Sequence, residues 1–114
     1  MNKELRTKIH EKYGKRCAYC GERIEYKNMQ VDHITPKRNG GTDDINNLNP
    51  SCRLCNHYKR AMSIEQFRET ITTLQSRLEK IYIFKVGIKH GLVRMCITED
   101  PHRFYFERLK GGAQ

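Results

Sequence analysis

The sequence predicts an α+β fold, and three observations carry that prediction. Residues 63–80 carry a helix start signal followed by a long apolar stripe. Residues 29–35 (MQVDHIT) read as a strand that Pro36 terminates. Two C-x-x-C pairs, Cys17/Cys20 and Cys52/Cys55, enclose that strand and offer a metal staple. A chain of 114 residues builds a modest core, and a domain of this size gains from such a staple.

The elements follow in order. Residues 3–13 predict a short helix: Leu5, Ile9 and Tyr13 recur on one face, and Gly14 suits a left-handed stop. Cys17 to Gly21 is a tight turn. After the 29–35 strand, residues 37–47 are polar, rich in turn formers and expected to be flexible. A brief strand is expected at Leu48-Asn49, and a short helix over 52–60. Ser63 and Gln66 form a capping box that opens a helix to about Lys80, with Ile64, Phe67, Ile71, Leu74, Leu78 and Ile81 as its stripe. Residues 81–90 fit both helix and strand; the helix, ended by Gly91, is favoured. The tail predicts a β-hairpin, Leu92–Thr98 and Arg103–Arg108 about a turn at 99–101, with Phe104 and Phe106 on one face. The terminal GGAQ should fray. The organisation expected is a core with its N-terminal helix over 1–62, and an extension over 63–114 packed on it as one compact domain.

Charge restricts the partners. Lys and Arg number 22 against 13 Asp and Glu, a net +9 with pI ≈ 9.5, which favours a polyanion such as nucleic acid. No stretch approaches the roughly 18 apolar residues of a membrane helix, and the charged N-terminus lacks the apolar region of a signal peptide. A cytoplasmic protein without membrane contact is expected. In that compartment the paired cysteines read as a metal site rather than a disulfide framework. Four thiolates close a tetrahedron, so this ion should be a structural Zn2+. Cys96 stands apart and is expected to be a small buried residue. His10, His90 and His102 have no motif context.

The 31 residues between the pairs exceed the roughly 15–20 of a zinc ribbon, so structure must occupy the interval. It contains Asp32-His33, then Asn46-Asn47-Leu48, and the second pair runs directly into Asn56-His57-Tyr58-Lys59. Asp32 and Asn56 offer hard oxygens suited to Mg2+ or Mn2+. His33 can take a proton from water near neutral pH. This set suits metal-assisted hydrolysis of a phosphodiester. Lys59, three residues after Asn56 on a helix, is placed to hold a phosphate. Lys37, Arg38, Arg53, His57 and Arg60 flank the same region as candidate DNA contacts, and Lys3, Arg6, Lys8 and Lys12 as a second phosphate-facing surface. Adjacent strand residues point to opposite faces, so Asp32 and His33 can share a site only where the strand twists or ends.

The run DHITPKRNGGTDDINNLNPSCRLCNHYK resembles the core of the HNH endonucleases, and the layout resembles small phage and prophage members with a four-cysteine zinc site. The resemblance covers roughly residues 13–60. It implies a ββα-metal (His-Me finger) core with flanking helices. It assigns His33 as the water-activating base, Asp32 as a metal-binding acid, Asn47 as the brace of the ββ turn, with Asn46 less favoured, and Asn56 as the third motif position. It implies metal-dependent cleavage of double-stranded DNA with Mg2+ or Mn2+, Ni2+ as a further candidate, by a monomer or homodimer in a bacterial host cytoplasm. The alternative is a zinc-dependent DNA-binding or accessory component of a terminase packaging machine.

Overall fold

The computed structural model describes residues 1–112. Part of the expected frayed end, Ala113 and Gln114, lies outside the described residues. Helix α1 (Lys3–Glu11) starts where the Asn2 side chain accepts the Leu5 amide at 2.7 Å. It buries Ile9, and Gly14 follows with φ +72°.

Strands β1 (Gln30–His33) and β2 (Leu48–Ser51) pair antiparallel, with Asp32 opposite Asn49 and His33 opposite Leu48. Pro50 is tolerated because each strand of a two-stranded sheet is an edge. Its carbonyl accepts the Ala18 amide at 2.9 Å, which ties the first cysteine turn to β2. Helix α2 (Arg53–Lys59) begins with Cys52 as its cap, and packs on β1. These elements make the ββα unit that carries the site.

The capping box of α3 (Ile64–Thr72) forms as the sequence implies: the Gln66 amide donates to the Ser63 hydroxyl at 3.2 Å, and the Ser63 amide to the Gln66 side chain at 2.9 Å. The expected single helix to Lys80 is instead broken at Thr73, and α4 (Leu74–Glu79) restarts it. Thr70, Thr72 and Thr73 bond back to the carbonyls of Gln66 and Glu69, and side chains that bond the backbone this way bend helices. Helix α5 (Tyr82–Lys89) packs on α4 and is followed by Gly91 at φ +73°.

The expected C-terminal hairpin is corrected. Residues 92–98 form no strand, and Tyr105–Gly112 is helix α6. The reason lies at its start. Glu107 accepts the Phe104 amide at 2.9 Å, a helix-opening contact, while Arg68 grips the Glu107 carboxylate with two bonds of 2.6 Å. The Tyr105 and Phe106 amides donate to the carbonyls of Tyr19 and Ala18. The strand face expected to carry Phe104 and Phe106 is therefore absent, and both rings instead pack edge-on against Tyr19. The core gathers Ile9, Ala18, Tyr19, Met29, Leu48 and Phe67 with Phe104. Cys96, expected buried, is exposed, since the strand that would have buried it does not form. Arg6 and Lys12 face inward, bonding the carbonyls of Tyr26 and Met29 and of Ile45 and Leu48, so they do not extend a phosphate-facing surface. Among the described residues, no helix is long and apolar enough to cross a membrane.

Candidate active site

The two C-x-x-C turns meet. The sulfurs of Cys17, Cys20, Cys52 and Cys55 all lie within 4.8 Å of one another, and Cys20 and Cys52 stand 3.9 Å apart. Ligands about 2.3 Å from one tetrahedral ion are spaced by roughly 3.8 Å, so the cluster has the dimensions of a metal site. Three amides aim at its sulfurs, each at 3.4 Å: Tyr19 to Cys17, Glu22 to Cys20, and Cys55 to Cys52. Bonds from Cys20 and Cys55 hold the Cys17 thiol well below the ordinary thiol range. A thiolate-bearing cluster of this kind suits a soft or borderline cation.

Beside it, a cleft of about 310 Å³ is lined by Asp32, His33, Lys37, Asn56 and Arg60 among others. Strand alternation separates the first two. Asp32 turns inward and is 4% exposed, bonded to the Tyr19 hydroxyl and to Lys59 Nζ at 3.0 Å. Burial pushes its carboxyl above the usual range, while Tyr19 and Lys59 pull the other way. His33 turns outward, half-buried, and its Nε2 meets Asp43 Oδ1 at 2.8 Å. Both residues nonetheless reach the cleft, because β1 ends at His33. Asn56, one residue after the cluster, reaches it from α2. Among the described residues no protein group bonds its side-chain amide.

Asn47 sits at the loop that joins the strands. Its Oδ1 accepts the Thr35 amide at 2.9 Å, and its Nδ2 donates to the carbonyls of Thr35 and Thr42. The 37–47 segment is therefore pinned at both ends rather than loose. Asn46 offers its amide to Asp44.

Lys59 is not where the helix spacing placed it. Its side chain is 0% exposed and bonds Asp32, the His33 carbonyl at 3.1 Å and the Met62 carbonyl at 2.8 Å. The face of α2 that packs on β1 is the face carrying Lys59, so its charge supports the strand instead of meeting a phosphate. Lys37, Arg38, Arg53, His57 and Arg60 are exposed. Lys37 pairs with Asp43 at 3.1 Å, and Arg38 donates to the Ala61 carbonyl. Arg60 follows α2 with φ 52° and ψ −126°, a strained backbone for a side-chain-bearing residue. His10 is a satisfied core histidine, its Nε2 2.7 Å from the Ile24 carbonyl.

Two residues of the site escaped sequence reasoning. Tyr19 lies between two cysteines and reads as turn filler, yet it holds Asp32 from thirteen residues away. Asp43 lies in a polar loop, and only its place among Gly, Thr and Asp hints at a shaped turn.

The arrangement defines a class: a ββα unit stapled by four cysteines, with an acid, an imidazole and an amide on one cleft. Residues 17–61 match the family model for HNH endonuclease, a segment that begins at the first cluster cysteine and ends just beyond α2. That segment also contains every cleft residue named above. A CRISPR-associated endonuclease Cas9 from Corynebacterium diphtheriae is 43% identical over 44 residues, covering 38% of this chain. The chain spans only 4% of the length of that relative. The likeness to HNH endonucleases is thus confined to this segment, where the sequence motifs implied it.

Proposed function

We propose that this chain is a metal-dependent DNA endonuclease that hydrolyses phosphodiester bonds, with His33 as the base. The observation that carries the reading is one cleft lined by Asp32, His33 and Asn56, with exposed Lys37 and Arg60 at its edge. The oxygens of Asp32 and Asn56 fit a hard ion such as Mg2+ or Mn2+, with Ni2+ as a surrogate. When bound, such an ion polarises the phosphate and stabilises charge on the leaving 3′ oxygen. His33 accepts the proton of the attacking water. Asn47 holds the loop in shape around it. Arg38, Arg53 and Arg60 neutralise backbone charge, giving a steeply salt-dependent affinity, and His57 adds a phosphate contact. The four-cysteine cluster holds Zn2+ and fixes the start of α2, and hence the distance from Asn56 to His33. A single site cuts one strand per encounter, so a monomer nicks and a homodimer breaks both strands. The resemblance to small phage proteins supports a bacterial or phage setting.

A second reading is an accessory DNA-binding component of a packaging machine with a terminase. It is favoured by the exposed apolar side chains of Tyr82, Ile83 and Leu92, which offer another protein a docking face.

The test is zinc-loaded protein on supercoiled plasmid with Mg2+, Mn2+, Ni2+ or EDTA, beside His33→Ala. Metal-dependent nicking that disappears in His33→Ala is expected. DNA retained in a gel shift without cutting in any metal would move the assignment to the accessory reading.

A further inference from the structure

Among the groups around the cleft, Asp43 has no assigned part. Its contacts are specific. Oδ1 lies 2.8 Å from His33 Nε2, and Oδ2 lies 3.1 Å from Lys37 Nζ, so both carboxylate oxygens are engaged. The loop that presents it is built rather than incidental. A Cβ on Gly41 would stand 1.8 Å from the Thr35 carbonyl oxygen, so only glycine allows that close crossing. The Gly41 amide donates to the Pro36 carbonyl at 3.0 Å, and Asn47 Nδ2 grips the Thr42 carbonyl at 2.8 Å, directly before Asp43. On the other side, the Asp44 side chain caps the turn at Ile45–Asn47.

We propose that Asp43 is the positioning residue of the base: it holds the neutral His33 ring in the Nε2–H tautomer, leaving Nδ1 to take the proton from water. An ionised carboxylate only accepts hydrogen bonds, so the shared proton belongs to Nε2. Among the described residues no protein group bonds Nδ1. Lys37 holds the carboxylate from its other oxygen and keeps it on the ring. The pair contributes little to folding, because Asp43 is exposed and water screens an exposed ion pair. Its consequence is the orientation and tautomer of one imidazole. The inference rests on His33 being the base, and two measurements separate the failure of one from that of the other.

The first measurement needs no turnover. Long-range ¹H–¹⁵N spectra of the zinc-loaded protein at pH 8 identify the His33 ring by the signal missing in His33→Ala. The expected pattern is a protonated Nε2 and an unprotonated Nδ1, with a mixed or reversed tautomer in Asp43→Asn. A wild-type ring protonated on Nδ1 would overturn the proposal, whatever the activity. The second measurement is plasmid nicking by wild type, Asp43→Asn and Asp43→Glu. Asp43→Asn should lower kcat roughly 10- to 100-fold, less than the roughly 10²–10⁴-fold that loss of the base itself would cost, and change KM less than about threefold. Asp43→Glu should recover much of the loss. If Asp43 were only a negative charge near DNA, Asp43→Asn would tighten binding and leave kcat within twofold, and that result sinks the inference. If His33→Ala nicks as well as wild type, the base assignment fails instead, and the spectra still decide whether Asp43 sets the ring.

Discussion

The cleft-bearing core and the α4–α5 arm treat their side chains in opposite ways. In the core, groups that prefer water are buried: Lys59 at 0% exposed, and likewise Asp32, Asn49 and Ser51. In the arm, groups that avoid water are exposed: Tyr82 at 80%, Ile83 at 76%, and Leu92 beyond the helix at 82%. Apolar content therefore does not decide burial here. What decides it is the number of long-range anchors. The core has the cysteine cluster, the β1–β2 ladder and the Tyr19–Phe67–Phe104 rings, with centroids 5.1 to 5.3 Å apart. Aromatic pairs of this kind add about 0.5–1.5 kcal/mol each beyond their burial. Helix α5 has α4 as its main neighbour, and the chain extends to 51 Å along its longest axis.

The largest effect should follow from removing the cluster. Cys52→Ser, or chelation of the metal, should unfold the core, because metal binding at such sites supplies folding free energy. Circular dichroism and a thermal melt would show it. A Cys52→Ser protein that stayed folded and fully active would erase the proposed difference between the core and its arm.

Next comes the buried pair. Lys59→Met leaves the Asp32 carboxylate inside without its ammonium, and breaking a buried pair this way costs about 3–5 kcal/mol. Urea denaturation measures it. The double variant Lys59→Met with Asp32→Asn should recover part of the loss, since no uncompensated charge is left. A single variant within 1 kcal/mol of wild type would show that the pair does not hold β1 on α2.

The smallest effect belongs to the arm. Ile83→Ser should change stability by no more than about 0.5 kcal/mol, as exposed substitutions do. It should leave plasmid nicking unaltered and raise the concentration at which the protein aggregates. A loss above 2 kcal/mol in the same denaturation series would show that α5 is anchored as firmly as the core.

The sequence by itself determined the parts of the protein whose chemistry is local or whose spacing is stereotyped. Two C-x-x-C pairs specify a cluster, Ser63 and Gln66 specify a helix start, and Asn56 follows directly on the last cysteine and so inherits its place. Asp32-His33 and Asn47 are legible for the same reason, as a short ordered motif. The tertiary structure decided the rest, because it depended on contacts across the chain. Lys59 turns inward since α2 packs with that face on β1, 27 residues from the carboxylate it neutralises. Tyr19 becomes part of the site only when the cysteine turn closes on β2. The tail is a helix because Arg68 draws Glu107 to its first turn, across 39 residues. Asp43 reaches His33 only because Gly41 allows the loop to cross the Thr35 carbonyl. Period and propensity describe a segment against its own axis, and none of these contacts lies on one axis.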